Sequence, residues 1–214
     1  MNIAFLGAGT MAEALTPLWV AAGHHVTIGG RTPVKTESLA ARTGARAATL
    51  REAAAAADVV VLAVLYAGVQ DTLRAAGAAE GMLRGKVLVD VNNPVEVEGF
   101  TLVDFGAPSL AEHLADATGA AVVKAMNLVQ SDVWRQRATF AGARLVVPVA
   151  TDSAVAREVV DGLVRDAGAV PLDAGPLVHA RYVEAMGAVI VRHLWTGGEA
   201  LSAFQLTVGE ATVA

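Results

Sequence analysis

Residues 7–12 read Gly-Ala-Gly-Thr-Met-Ala, and this spacing suits the binding of a pyrophosphate. Gly7 permits a tight turn, Gly9 lets the backbone approach phosphate oxygens, and small Ala12 lets a helix pack closely on a strand. The unbonded amides at that helix start would face the phosphates. The context fits as well. An apolar run, Ile3 to Leu6, precedes the glycines, and Ala14, Leu15, Leu18, Trp19 and Ala22 follow at helical spacing. Strand, glycine turn and helix in that order are what gives the motif meaning. Gly7, Ala8, Gly9, Thr10 and Met11 are therefore expected to hold a dinucleotide.

A second group decides which dinucleotide. The next strand ends Val26-Thr27-Ile28-Gly29-Gly30-Arg31-Thr32-Pro33-Val34-Lys35. An acidic side chain at this place bonds the ribose 2′-hydroxyl in NAD-binding versions of the fold. Here glycine occupies it and Arg31, Thr32 and Lys35 follow. A carboxylate would repel a 2′-phosphate, whereas arginine grips one in a fork. Gly30, Arg31, Thr32 and Lys35 thus point to NADP rather than NAD. The backbone of Ala63, Val64 and Leu65 is expected near the ribose and nicotinamide, since ligands lie outside the carboxyl ends of parallel strands. Asn92-Asn93-Pro94 either orients the nicotinamide carboxamide or is an ordinary turn, in which asparagine tolerates unusual backbone angles.

The elements that must position these residues alternate. Candidate strands are 3–6, 25–28, 45–47, 59–64, 87–91, 122–125 and 145–150. Candidate helices are 11–22, 33–43, 50–57, 67–79, 109–118 and 153–167. Continuous apolar strands such as Val59–Val64 imply burial on both faces, as in a parallel sheet. The alternation implies an α/β, Rossmann-type doubly wound parallel sheet with a small, mostly helical C-terminal part. Residues 1–150 are expected to form the NADP-binding part. Residues 151–214, with a short strand near 169–172 and a long apolar helix from about 177 to 194 or 195, are expected to complete an acceptor cleft.

Composition excludes several classes. The net charge is −5 with no basic block, so no nucleic-acid partner is expected. With no cysteine, thiol catalysis and protein-held iron–sulfur clusters are excluded. The lack of cysteine and of a secretory leader pattern fits a cytoplasmic location. No apolar stretch is long enough to span a bilayer, so no membrane partner is expected. No cluster has metal-ligand spacing, and His24-His25 diverge as neighbours in a strand.

Several segments together resemble the deazaflavin-dependent NADP reductases, the coenzyme F420:NADP oxidoreductases and their bacterial relatives. They are Gly-Ala-Gly-Thr-Met-Ala at the start, Gly29-Gly30-Arg31-Thr32, Val89-Asp90-Val91-Asn92-Asn93-Pro94, Val122–Asn127, and Pro171-Leu172-Asp173-Ala174-Gly175-Pro176-Leu177 before a helix carrying Arg181 and Glu184. The last two segments also resemble the oxidoreductase domain of STEAP-type metalloreductases, where NADPH passes hydride to a flavin. The resemblance implies NADPH as cofactor and coenzyme F420 or a flavin as co-substrate. It implies an acceptor lying over the nicotinamide and lined by Lys124, Met126, Asn127, Leu128, Val129, Gly175, Pro176 and His179.

Hydride transfer between two cofactors needs alignment and exclusion of water rather than an essential acid. The sequence carries no Tyr-x-x-x-Lys or Ser-x-x-x-Lys pair. Direct reduction of a small carbonyl or imine would need a proton donor. His179 and Tyr182 are the weak catalytic candidates, His193 and Lys124 weaker ones; the plainer expectation for His179 is a first-turn surface residue. Trp134 and Trp195 are expected as core or interface anchors. A homodimer is expected, because the C-terminal helix is apolar for a solvent-facing element. The non-enzyme alternative is an NADP-binding, redox-sensing module.

Overall fold

The computed structural model describes residues 1–104, 106–136, 143–203 and 205–208. In chain order the elements are β1 (Asn2–Leu6), α1 (Thr10–Ala21), β2 (His25–Gly29), α2 (Pro33–Thr43), β3 (Arg46–Ala48), α3 (Leu50–Ala56) and β4 (Val59–Leu62). Then come α4 (Val69–Ala75), β5 (Val87–Asp90), the short pair β6 (Val95–Glu96) and β7 (Thr101–Leu102), α5 (Leu110–Thr118) and β8 (Ala121–Lys124). The chain continues with α6 (Ser131–Arg135), β9 (Arg144–Ala150), α7 (Ala154–Asp166), β10 (Val170–Gly175), α8 (Ala180–Trp195) and β11 (Thr207–Val208).

The main sheet runs β10-β9-β8-β5-β4-β1-β2-β3, with β11 added to β9. From β3 to β8 every pairing is parallel. The order reverses where β1 lies between β2 and β4, and that reversal opens the crevice in which such folds bind ligands. The expected parallel sheet is broken at one end: β9 meets β8 antiparallel, through Lys124 and Ala150, and β10 runs parallel to β9. β9 therefore overhangs the carboxyl edge, and β10 delivers Gly175 close to that edge.

Period-two alternation explains the two cores. Ile3 and Phe5 of β1, with Val59 and Val61 of β4, face a cluster built by α1, α6 and α7. Ala4 and Leu6, with Val60 and Leu62, face α3, α4 and α5. Trp19 is fully buried in the first cluster, stacked on Phe5 and donating its indole N–H to the Leu163 carbonyl at 2.9 Å. That bond ties α1 to α7 across 144 residues of sequence. A third, smaller cluster docks α8 through Val183 and Ile190 onto Leu128 and Ala203.

Local chemistry sets most boundaries. Thr49 and Glu52 form a reciprocal capping box on α3, and the hydroxyls of Ser109 and Ser153 cap α5 and α7. α2 starts with proline in its first turn, as expected, and ends at Gly44 in a left-handed conformation. The single helix expected over 67–79 is instead a 3₁₀ turn at Tyr66–Gly68, α4, and a second 3₁₀ turn at Ala78–Glu80. The β6–β7 hairpin and α6 had no expectation.

Candidate functional site

The site lies along the carboxyl ends of the parallel strands. Gly7 leaves β1 at φ +125°, and a β-carbon there would overlap the Ala63 carbonyl oxygen at the end of β4. Both observations restrict position 7 to glycine. Gly9 differs: it is extended, and a β-carbon would meet nothing in the protein nearer than Ala63 O at 3.7 Å. Nothing inside the fold requires glycine at position 9. The missing side chain leaves an open cradle at the start of α1.

That helix start is suited to an anion. Gly9 caps α1 without any side-chain bond, and the first helical bond is Glu13 N–H to Gly9 O at 3.0 Å. The preceding first-turn amides have no intrahelical acceptor and carry the positive end of the helix dipole. Gly7, Ala8, Gly9, Thr10 and Met11 form this turn, whose cradle and amides are of a kind that could hold a pyrophosphate.

The end of β2 adds cations. Gly30 is packed so closely that a β-carbon would overlap Thr36 Oγ1, whose hydroxyl donates to Thr32 O at 3.0 Å. The turn is thereby closed, and Arg31, Thr32 and Lys35 are left exposed. Among the described residues neither Arg31 nor Lys35 forms an ion pair. A cleft of about 270 Å³ lies between α1 and α2, bordered by Gly9, Thr10, Glu13, Lys35, Ser38 and Arg42. Arg42 bonds Glu13 and Ser38, each at 2.9 Å, and Arg135 reaches Glu13 at 3.3 Å. Sequence reading missed Glu13, Ser38 and Arg42. The available signal was helical phase, since 35, 38 and 42 share one face of α2.

On the other side of the crevice, most of the expected contact residues are engaged inside the protein. Ala63 is buried, Val64 half-buried, and Leu65 is 88% exposed on the open edge. Asn92 is buried and donates to Leu62 O at 3.0 Å and Asp90 Oδ1 at 2.7 Å. Asn93 and Asn127 bond each other: Asn93 Nδ2 donates to Asn127 O at 2.9 Å, and Asn127 Nδ2 donates to Asn93 Oδ1 at 2.8 Å and Val183 O at 3.2 Å. Pro94 is buried at the base of the β6–β7 hairpin. Met126 takes a positive φ of 64°, and its side chain is buried, as are Leu128 and Val129. Asn92 Oδ1 and Asn127 Oδ1 are buried acceptors with no partner.

Lys124, expected to line the acceptor, instead lies fully buried. Its Nζ donates to Asp90 Oδ2 at 2.8 Å and Asn92 O at 2.5 Å, and lies 3.3 Å from Glu184 Oε1. The ammonium is consumed by internal partners and offers no proton at the surface. Glu184, on α8, also accepts from the Leu110 and Ala111 amides at the start of α5, at 3.2 and 3.3 Å. Burial pushes the Glu184 carboxyl above the ordinary carboxylate value; Lys124 pulls it down, Asp90 pushes it up again, and the Leu110 amide lowers it. The sign for stability follows from the raised folded value. The folded state keeps this proton to higher pH than the unfolded chain, so stability falls as pH rises from about 4.5 towards the raised value and then levels. Glu184→Gln should lose this part of the slope when urea midpoints are compared across acidic and neutral pH. Equal slopes in the two chains would contradict the assignment.

His179 and Tyr182 lie at the start of α8. His179 Nδ1 donates to Ala174 O at 2.8 Å, and a β-carbon on Gly175 would come within 2.5 Å of that nitrogen. The ring therefore braces the turn that follows β10, beside exposed Pro176, and lies 5.6 Å from the ring of Tyr182. Tyr182 is 62% exposed.

Residues 2–94 match the family model for coenzyme F420-dependent NADP oxidoreductase. The crystal structure of a putative F420-dependent NADP-reductase from Arthrobacter sp. FB24 is 30% identical, with a TM-score of 0.81, covering 92% of this chain and 95% of that one. The chain belongs to this family. The family is one of NADP-dependent oxidoreductases. Rat metalloreductase STEAP3 is 32% identical over 86% of this chain and 36% of its own length. Human metalloreductase STEAP2 is 25% identical over 92% of this chain and 38% of its own length. The chain thus spans a little over a third of the curated relatives it matches. A reductive aminase from Aspergillus terreus in complex with NADPH and ethyl levulinate shares the fold, at 21% identity and TM-score 0.64, covering 92% of this chain and 62% of that one.

Against this family assignment, the remaining aromatic residues separate. Trp134 is buried, in keeping with a core role, whereas Trp195 is 67% exposed at the end of α8. Among the described residues no group of acidic or histidine side chains could hold a metal, and no helix is long and apolar enough to cross a membrane.

Proposed function

We propose that this chain transfers hydride between NADPH and a deazaflavin of the coenzyme F420 type. The observation that carries the reading is the near full-length match to the putative F420-dependent NADP-reductase of Arthrobacter, joined to a cleft whose cradle and cations suit NADPH. In this reading the amides around Gly9 and Thr10 bind the pyrophosphate, and Arg31, Thr32 and Lys35 take the 2′-phosphate. The exposed Leu65 packs against the nicotinamide end. The backbone at Ala63–Val64 and the Asn93–Asn127 bridge form the floor on which the ring lies. When bound, the two cofactors supply the redox chemistry, and the protein aligns them and excludes water. The engagement of Lys124 and His179 by internal partners supports a site without a dedicated acid.

The 2′-phosphate assignment is tested by charge removal. Arg31→Ala and Lys35→Ala should each weaken NADPH binding about tenfold to a hundredfold, from the ~1.5–3 kcal/mol of a charge-assisted hydrogen bond, and leave NADH binding unchanged. Equal losses for both nucleotides, read by cofactor fluorescence, would remove these residues from 2′-phosphate recognition. The acceptor is tested by anaerobic steady-state turnover with coenzyme F420, FMN and small ketones or imines in parallel. The reading predicts turnover with F420 well above the others. Turnover with a carbonyl or imine alone would replace it, and would make His179 and Tyr182 the next residues to alter. No turnover with any acceptor would favour a redox-sensing module.

A further inference from the structure

Three elements meet at a fully buried charge cluster that no cofactor role uses. Lys124 ends β8, Asp90 ends β5, and Glu184 sits one turn into α8. Glu184 bonds in two directions at once: its Oε1 lies 3.3 Å from Lys124 Nζ, and its two oxygens accept from the first amides of α5. One turn further along α8, Gly187 abuts Asn93 so closely that a β-carbon would overlap Asn93 Oδ1 and lie 3.1 Å from Asn127 Nδ2. Asn127 also reaches Val183 O on the same helix. α8 is thus fastened at successive turns to the loops that leave β5 and β8, and through α5 to the end of the segment that starts at Asn92.

We infer that Glu184 is a positioning residue: its carboxylate, held by Lys124 and the α5 amides, fixes α8 in register with the Asn93–Asn127 bridge and so sets the acceptor side of the cleft relative to the nicotinamide side. The inference rests on the proposed transfer between NADPH and a deazaflavin. It separates the two halves of the site. The glycine turn and the Arg31–Lys35 segment, proposed to hold the phosphates, lie on β1, α1, β2 and α2, with which Glu184 forms no bond; its bonds go to Lys124, Leu110 and Ala111, so the phosphate contacts that anchor NADPH do not depend on it. Charge counting also selects the informative variant. The cluster holds two carboxylates and one ammonium, so Glu184→Gln leaves Lys124 and Asp90 as a balanced pair, still bonded to each other.

The test uses the full chain with NADPH and coenzyme F420. For Glu184→Gln we expect faster hydrogen exchange at the Leu110 and Ala111 amides and along 183–190. We expect an NADPH dissociation constant within twofold of wild type, and an acceptor KM raised at least fivefold. Gly187→Ala leaves the charges intact but forces α8 away from Asn93, so the same split should appear by a second route. Glu184→Asp retains the charge and should recover part of the exchange protection and of the acceptor KM, and it carries the comparison if the glutamine variant does not fold. Unchanged acceptor KM despite faster exchange would reduce the cluster to a structural role and overturn the inference. Parallel losses of NADPH and acceptor binding would do the same. If the wild-type chain does not turn over F420, the functional reading fails by itself. The inference is then judged by exchange, and unchanged protection along 183–190 in both variants would sink it.

Discussion

Gly9→Val is expected to leave the chain folded and to weaken NADPH binding by about a hundredfold or more, which is about 2.7 kcal/mol. Space differs on the two sides of this single backbone position. Towards the protein there is room, since a β-carbon meets only Ala63 O at 3.7 Å, and the backbone is extended, which valine favours. Towards the ligand, a branched side chain would fill the cradle over the first amides of α1, where a pyrophosphate must approach the backbone. Losing glycine as a helix cap for an apolar residue should cost stability about 1 kcal/mol at most. Gly7→Val should behave in the opposite way. It places a side chain at φ +125° and against the Ala63 carbonyl. Strain and overlap together should cost about 3–5 kcal/mol of folding stability. The pair is read by urea unfolding and by NADPH fluorescence titration. Gly9→Val binding NADPH as wild type does would remove the glycine turn from the cofactor site.

Lys124→Met is the second large effect, here on stability. Removing the ammonium leaves Asp90 and Glu184 facing each other in a fully buried site. Breaking a buried ion pair by deleting one partner costs about 3–5 kcal/mol, because the remaining charge has no solvent to turn to. The urea midpoint should fall with an unchanged slope if the folded state stays compact. Adding Asp90→Asn and Glu184→Gln to Lys124→Met should return much of the loss, since neutral replacement of a whole buried cluster is often tolerated. If Lys124→Met alone kept wild-type stability, the cluster would hold no net electrostatic role.

The glycine turn, the start of α2 after β2 and most strand and helix limits were legible because their signals are local. Two glycines, a proline in a first turn, and capping threonine and serine residues act within a few positions of themselves. β4 illustrates the gain: its four consecutive apolar residues face both clusters, as a continuous apolar run implies. The reversal at β9 was not legible. Val146, Val147 and Val149 read the same in either strand direction, and only the single pairing of Lys124 with Ala150 sets it. Long-range chemistry was hidden for the same reason. Lys124 and Glu184 stand 60 positions apart. A lysine at a strand end looks like a ligand contact until the partners that bury it are seen. Asn93 and Asn127 were read separately as ligand contacts, and their mutual bridge follows from β5 and β8 being neighbours. Arg42 was within reach of sequence reasoning through its phase with Lys35 on α2.

Hydride transfer from NADPH to a deazaflavin ring can be followed with an isotopic label. The protein would be mixed anaerobically, in a stopped-flow instrument, with coenzyme F420 and NADPH deuterated at the transferred position. Nicotinamide and deazaflavin absorbance would be followed together and the product ring analysed for deuterium. Both absorbances should decay at one rate, slowed by the label, and deuterium should arrive on a carbon of the deazaflavin. NADPH that binds tightly yet stays reduced beside F420 would contradict the proposed transfer.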